Sequence, residues 1–162
     1  MTIVRATELR PALTRLSEEE NAFRDAVATF AAEEVKPRVQ EMERAGRIDP
    51  ALVEQYFAMG LMGIEVPEQY GGADGSLMMV TLAVEEVSKV DGAAAIMLDV
   101  QNTLVNYPIN RYGSEALKAK YLTRLTRDTV GAYALSEPSS GSDAFALSTR
   151  AEKRGWSKAD GP

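Results

Sequence analysis

The chain has 162 residues, 45% hydrophobic and 26% charged, the balance of one soluble globular domain. A formal charge of -6 argues against a nucleic-acid surface, and the absence of cysteine and histidine removes disulfides, thiolate nucleophiles, zinc sites and every histidine-dependent triad. Carboxylates, hydroxyls, Tyr, Lys, Arg or a borrowed cofactor are left to carry any chemistry, and no metal centre is expected.

The longest apolar run, 93–98, falls far short of the roughly 20 residues a membrane span needs. Residues 1–16 carry Arg5, Arg10 and Arg15 against a single acid, Glu8. A flexible, solvated N-terminus is the expectation, with the worn end of an organellar presequence as the alternative. Ser17 with Glu20 three residues on forms a capping box. Phe23, Val27, Phe30, Ala31 and Val35 follow at helical spacing, so an amphipathic helix starts here, and Pro37 is expected to bend or end it. Asp49-Pro50 is the next start signal, with Leu52, Val53, Tyr56 and Phe57 as the apolar face and Gly60 as a left-handed cap.

The stretch 60–76, GLMGIEVPEQYGGADGS, is glycine-rich and reads as a structured loop. Ser76 then caps 77–90, which is apolar nearly all round in its first turns and therefore central. Gly92 is expected to break this helix, and 93–109 to form a second buried one. Ser114 opens a shorter helix with Leu117, Tyr121 and Leu122 facing inward. After Thr129 the period becomes strand-like, through Tyr133 and Leu135 and again through Phe145, Leu147 and Thr149. The expected fold is mainly α: a flexible 1–16, a helical bundle over 17–127, then the first strands of a β-domain over 128–155. Two strands alone have no second layer on which to bury a face.

Three groups of residues are candidates for chemistry. In the loop 136–143, successive backbone N–H groups and the hydroxyls of Ser139, Ser140 and Ser142 suit a phosphate or pyrophosphate. A solvated hairpin loop bonding its own backbone is the competing reading, and Asp143 opposes an anion unless it serves as a cap or turn residue. Asp99, Gln101, Asn102 and Thr103 interrupt an apolar helix. Burying them unpaired costs about 1–3 kcal/mol each, so they either bond neighbouring loops, which is the expectation, or face a ligand cavity. Glu85 and Glu86 have the chemistry of a general base, but a helix emerging into solvent with Lys89 as partner explains them.

Residues 133–155, YALSEPSSGSDAFALSTRAEKRG, resemble the flavin-binding segment of the acyl-CoA dehydrogenases. The shared pattern is an aromatic or small residue, any residue, a hydrophobic one, Thr or Ser, Glu, three loop residues and Gly-Ser-Asp. GLMGIEVPEQYGG looks like that family's loop after its second helix, and YGSEALKAKYLTRL is similar to the helix preceding the flavin strand. VQNTL and LSEPSSGSDAFAL look closest to the short/branched-chain members. The tail 156–162, WSKADGP, does not resemble the family.

The resemblance implies FAD-dependent α,β-dehydrogenation of a short or branched acyl-CoA, with electron-transfer flavoprotein as partner and a homo-oligomeric full-length enzyme. It places Tyr133, Leu135 and Ser136 at the isoalloxazine edge, with the Ser136 hydroxyl standing where the family usually has Thr. Gly141 would admit close backbone approach, and Ser142 would touch the diphosphate or the pantetheine of CoA. Val100, Thr103 and Leu104 would line the acyl pocket. No residue here corresponds to the family's catalytic Glu, which lies on a C-terminal helical domain, so the expectation is an N-terminal portion inactive alone. The implied location is the mitochondrial matrix in a eukaryote or the cytoplasm in a bacterium. The competing reading is a non-catalytic helical module, or decoy, that pairs with a full-length relative. Trp156 would then be the tail's one anchor, and the strand edges after Thr129 would suit partner addition.

Overall fold

A computed structural model describes residues 15–152. Most of the flexible N-terminus expected over 1–16, and the tail 156–162 with Trp156, lie outside those residues. Helix α1 (Glu18–Phe30) starts at the expected box: Ser17 Oγ accepts from Glu20 N–H at 3.1 Å, and the Glu20 carboxylate accepts from Ser17 N–H at 2.8 Å. Its stripe of Val27, Phe30, Ala31 and Val35 is buried.

The helix does not end at Pro37. Ala31–Val35 widens into a π-helical turn, Lys36–Arg38 tightens into a 3₁₀ turn, and α2 (Val39–Ala45) carries on to a left-handed Gly46. A helical proline has no N–H to give and its ring clashes with the carbonyl four residues back. For Pro37 that carbonyl belongs to Glu33, inside the π turn, so the clash is met by widening the helix rather than breaking it.

Asp49 caps α3 (Pro50–Ala58) by accepting from Ala51 N–H at 3.0 Å, and Leu52 and Tyr56 are buried. Arg38 joins the two segments, donating to Glu34 at 2.9 Å and to Asp49 at 3.2 Å, and Gln55 donates to the same Glu34 carboxylate at 2.6 Å. Gly60 takes the expected left-handed conformation with φ 73.

The loop 60–76 closes on itself. Ala73, Asp74 and Gly75 N–H groups donate to the carbonyls of Gly63, Val66 and Ile64 at 3.0, 3.0 and 2.7 Å. At Gly72 the chain passes so near its own backbone that a Cβ would lie 1.9 Å from Val66 O.

Helix α4 (Leu77–Ser88), capped by Ser76, is the central helix and packs between α1 and α5. Val80, Leu82, Ala83 and Val87 are buried, most of them in one cluster with Leu52, Tyr56 and Leu98.

The next helix is longer than expected. The expected break falls at 89–91, just before Gly92: Asp91 caps the new helix through Ala94 N–H at 2.7 Å, and Gly92 is its first residue. It runs as α5 (Gly92–Asp99), a second π-helical stretch Val100–Asn106, and α6 (Tyr107–Tyr112). Pro108 again follows the π stretch, and the carbonyl four residues back, on Leu104, lies within it.

Helix α7 (Glu115–Leu125) starts at Ser114 as expected. Leu122 is fully buried, but Leu117 and Tyr121 stay 46% and 39% exposed, so two of the three residues expected to face inward do not. This helix packs on a short turn, Glu68–Tyr70, and on the π stretch and α6, which cover only a narrow stripe of it.

Past Thr129 the expected strands do not form among the described residues. There is an isolated antiparallel bridge between Glu137 and Ser140 and a 3₁₀ turn, Ala144–Ala146, where alternation through Phe145 pointed to a strand. A strand is defined by its ladder, and no neighbouring strand is there to supply one. The architecture is a helical bundle with little strand, as the mainly-α expectation held.

Candidate functional site

The π-helical stretch Val100–Asn106 organises this region through three buried amides. Gln101, 1% exposed, donates from Nε2 to Leu125 O at 2.8 Å and Thr129 O at 3.1 Å, and its Oε1 accepts from Gly131 N–H at 2.8 Å. Asn102 accepts from Ile64 N–H at 2.9 Å and donates to Leu61 O and Leu98 O at 2.8 and 2.9 Å. Asn106 donates to Met62 O at 2.8 Å. Gln101 and Asn102 therefore bind neighbouring loops, the first of the two readings left open for the polar run, while Thr103 bonds Asp99 within the helix. Sequence reasoning singled out Gln101 and Asn102 but missed Asn106, whose polarity within an apolar helix was a readable signal.

Gly131 has a steric reason to be glycine. A Cβ there would sit 2.3 Å from Val105 Cγ1, so 129–131 lies directly against the helix. Thr126 adds a second tie, donating to Tyr70 O at 2.8 Å while its methyl fills the space a side chain on Gly63 would need. Nothing in the sequence marked Thr126 for this role.

The candidate cofactor residues come next along the chain and project into solvent. Tyr133 and Leu135 are 46% and 42% exposed, and Ser136, Gly141 and Ser142 are exposed as well. Among the described residues the hydroxyls of Ser136 and Ser142 make no hydrogen bond, and a Cβ on Gly141 would meet nothing within 4 Å. Ser140 differs: it is buried, and its hydroxyl donates to Asp143 O at 2.7 Å. Asp143 accepts from Phe145 N–H at 3.1 Å, which makes it a turn residue and not an obstacle aimed at a bound anion.

Val100 and Thr103 are half-buried and Leu104 is 37% exposed, on the stretch whose Gln101 and Val105 hold 129–131. Thr103 turns its hydroxyl to its own helix, 2.8 Å from Asp99 O. No hydrogen bond joins these three residues to 133–142 among the described residues. A cleft of about 730 Å³, lined by Val53, Phe57, Gly71, Thr126, Arg127 and Val130, contains none of the candidate residues.

Glu137 clasps the far end of the loop. One carboxylate oxygen accepts from Ser148 N–H at 2.9 Å and Ser148 Oγ at 3.1 Å, the other from Thr149 N–H at 3.1 Å. Hydrogen bonds from Thr149 first and Ser148 next push its pKa down from 4.5 to about 2. The native value lies below the unfolded one, so the clasp is at full strength above the unfolded value and is lost as pH falls through the native one. An NMR acid titration should show the Ser148 and Thr149 amide shifts moving with a midpoint near pH 2. A midpoint at the ordinary glutamate value would mean that the clasp does not persist in solution.

Glu85 and Glu86 are both paired with Lys89, at 3.4 and 2.7 Å, and the hydrogen bond that Lys89 donates to Glu86 raises the lysine pKa. The pairing with Lys89 is as expected, but Glu86 is buried instead of emerging into solvent. No helix of the described residues is long and apolar enough to cross a membrane.

A family model described as acyl-CoA dehydrogenase, N-terminal domain, matches residues 17–129. The chain is 49% identical over 142 residues to a probable short/branched chain specific acyl-CoA dehydrogenase of Dictyostelium discoideum, covering 88% of this chain and 34% of that protein. It is 39% identical to the bovine (Bos taurus) mitochondrial short/branched chain specific enzyme, covering 94% of this chain and 36% of that one. Among solved structures, butyryl-CoA dehydrogenase from Megasphaera elsdenii superposes with a TM-score of 0.76 at 32% identity, covering 83% of this chain and 36% of that one. A chain in a structure titled for the electron transferring flavoprotein of Acidaminococcus fermentans gives 0.76 at 39% identity, covering 82% of this chain and 35% of that one. The chain thus spans about a third of the length of the relatives it matches.

Proposed function

Because the chain belongs to the acyl-CoA dehydrogenase family and carries its N-terminal helical domain, we propose that it forms one wall of a site for FAD-dependent α,β-dehydrogenation of a short or branched acyl-CoA thioester. The observation that carries the reading is the anchoring of 129–131 by Gln101, which roots the loop 133–142 while leaving the Ser136 and Ser142 hydroxyls and Gly141 open to a ligand. The donor set fits a flavin dinucleotide: the Ser136 and Ser142 hydroxyls without internal partners, beside a glycine that admits close approach.

Tyr133, Leu135 and Ser136 would hold the ring system, with Ser136 donating toward it. Gly141 and Ser142 would hold the diphosphate or the CoA pantetheine. Val100, Thr103 and Leu104 would exclude water around the acyl chain. When bound, FAD supplies the acceptor for the hydride leaving the β-carbon. The carboxylate that removes the α-proton is assigned to the two thirds of the relatives' length that this chain does not span, since Glu85 and Glu86 are committed to Lys89. Electron-transfer flavoprotein is the acceptor this reading names, and a homo-oligomer the expected assembly. The location in this reading is the mitochondrial matrix if the source is eukaryotic, the bovine and rat relatives being named as mitochondrial, and the cytoplasm if it is bacterial.

Titrating the 162-residue chain with FAD and following flavin fluorescence should show weak or undetectable binding, because a single wall offers few contacts. Submicromolar binding would overturn the division of the site. A chimera carrying the remaining two thirds of the Dictyostelium relative should oxidise short and branched acyl-CoA substrates. In that chimera Ser136→Ala should lower kcat by about tenfold or more, by removing a donor at the reacting ring. Ser142→Ala should instead raise KM or weaken FAD binding, since its contact is with a part of the ligand that does not react. Unchanged constants in both variants would reduce the loop to a turn.

A further inference from the structure

Charge is unevenly spread along this chain. Residues 107–127 hold five cations, Arg111, Lys118, Lys120, Arg124 and Arg127, against one acid, Glu115, a net charge of +4 in a chain whose total is -6. Glu115 is already engaged: Lys118 pairs with it at 3.0 Å and the Tyr70 hydroxyl donates to it at 2.7 Å. Arg127 is paired with Asp128 at 2.9 Å. Arg111, Lys120 and Arg124 are exposed and, among the described residues, have no carboxylate within ion-pair distance.

The same corner, where α6 meets α7, carries an apolar groove of about 380 Å³ lined by Pro108, Ile109, Tyr112, Gly113, Leu117 and Tyr121. Tyr112 is 79% exposed, and Leu117 and Tyr121 are the two residues of α7 that do not pack inward. Leu117, Lys120, Tyr121 and Arg124 recur at spacings of three and four, so they share one face of α7. The Lys120 ammonium lies 5.0 Å from the centre of the Tyr121 ring. Apolar surface and unpaired positive charge therefore coincide.

An occupant of this face has to be anionic and to offer apolar contact beside its charge. An acidic protein segment meets the first requirement, but the described residues supply no sheet edge here on which a peptide backbone would align. A fluid headgroup layer meets both. It offers charge without fixed geometry, which suits cations on long flexible stems, and hydrocarbon just beneath, which suits tyrosines that are apolar along the ring and polar at the hydroxyl. We propose that the α6–α7 corner docks the chain on an anionic bilayer surface, with Tyr112, Leu117 and Tyr121 entering the headgroup boundary and Arg111, Lys120 and Arg124 facing the lipid phosphates. This is attachment to one leaflet and involves no span. It does not depend on the acyl-CoA reading. Each cation near such a surface strengthens binding about fivefold, so the attachment is reversible and sensitive to salt.

Co-sedimentation of the 162-residue chain with vesicles tests this, using phosphatidylcholine alone and phosphatidylcholine with about 30% phosphatidylserine. At about 0.1 M salt the anionic vesicles should bind the chain about tenfold or more tightly than the neutral ones, and most of that preference should vanish at about 1 M. Lys120→Ala combined with Arg124→Ala should weaken binding to the anionic vesicles about 25-fold. Tyr112→Ser should weaken it severalfold at either salt concentration, because its contribution is apolar. Lys36→Ala removes an exposed cation at the junction of α1 and α2 and should change nothing. All of these side chains are exposed and outside any ion pair, so circular dichroism should give wild-type spectra. Binding that ignores anionic lipid, that survives the double substitution, or that falls as far with Lys36→Ala would overturn the proposal. So would evidence of another occupant: binding to polyglutamate or to a second copy of the chain without vesicle binding, or vesicle binding that disappears in the chimera.

Discussion

Gln101→Leu is expected to lower the melting temperature by roughly 6–12 °C while leaving the helix content near that of the wild type. The substitution keeps the volume of the side chain but strands three backbone groups: the Leu125 and Thr129 carbonyls and the Gly131 N–H. Leaving a buried polar group unmade costs about 1–3 kcal/mol, and two of the three groups are only partly buried, so a total of about 3 kcal/mol follows. For a chain of this size each kcal/mol moves the midpoint by about 2–4 °C. Gln101→Glu makes a sharper control. A carboxylate would still accept from Gly131 but would face two carbonyls with no proton to give, so it should cost at least as much as leucine at neutral pH. A loss of less than about 1 kcal/mol in both variants would show that the three bonds are replaced by water at no cost.

Gly72→Ala should be as damaging for a purely steric reason. Its new Cβ would lie 1.9 Å from Val66 O and 2.5 Å from Val66 C and Cβ, far inside contact distance, and two of these are backbone atoms that no rotamer change can move. Val66 O also accepts from Asp74 N–H, so a shift that relieves the clash must break the closure of the loop. Overpacking of this kind costs about 3 kcal/mol or more. Gly92→Ala is the internal reference: nothing lies within 4 Å of its Cβ position and it opens a helix, so it should be neutral or slightly stabilising. Thermal denaturation of the two variants side by side gives the answer. Equal midpoints would mean that the loop is not held against itself as described.

How much of this was legible in the sequence depended on the range of the interaction. The caps at Ser17, Asp49, Ser76 and Ser114 were readable because the donor and acceptor of each lie within three residues. The apolar stripes of α1, α3 and α4 were readable because burial follows helical spacing. The two π-helical stretches were not, because a proline in a helix is resolved either by a break or by widening, and the choice rests on what the neighbouring loops offer the backbone. The alternation through Phe145 failed for a related reason: period two describes a side chain's direction and says nothing of a partner strand, and Phe145 is in the event fully exposed. At the candidate site, the residue types of 136–143 were visible, and so was the oddity of Gln101 and Asn102. Their partners outside the helix lie 24 to 41 residues away, which no local pattern encodes. Glu137 entered the sequence reading only as one position of the shared pattern, and its clasp was not legible because its donors come from 11 and 12 residues further on.

The segment after Thr129 is thus a tether with two fastenings of different chemistry. The one at its root is the neutral amide of Gln101, which has no charge to lose and no counterion to gain, so acid and salt leave it alone. The one at its far end is the exposed carboxylate of Glu137, which weakens as protons bind. Acidification should therefore release the tether from the tip inward, giving a state in which the loop swings free while its attachment to the helix is still fixed.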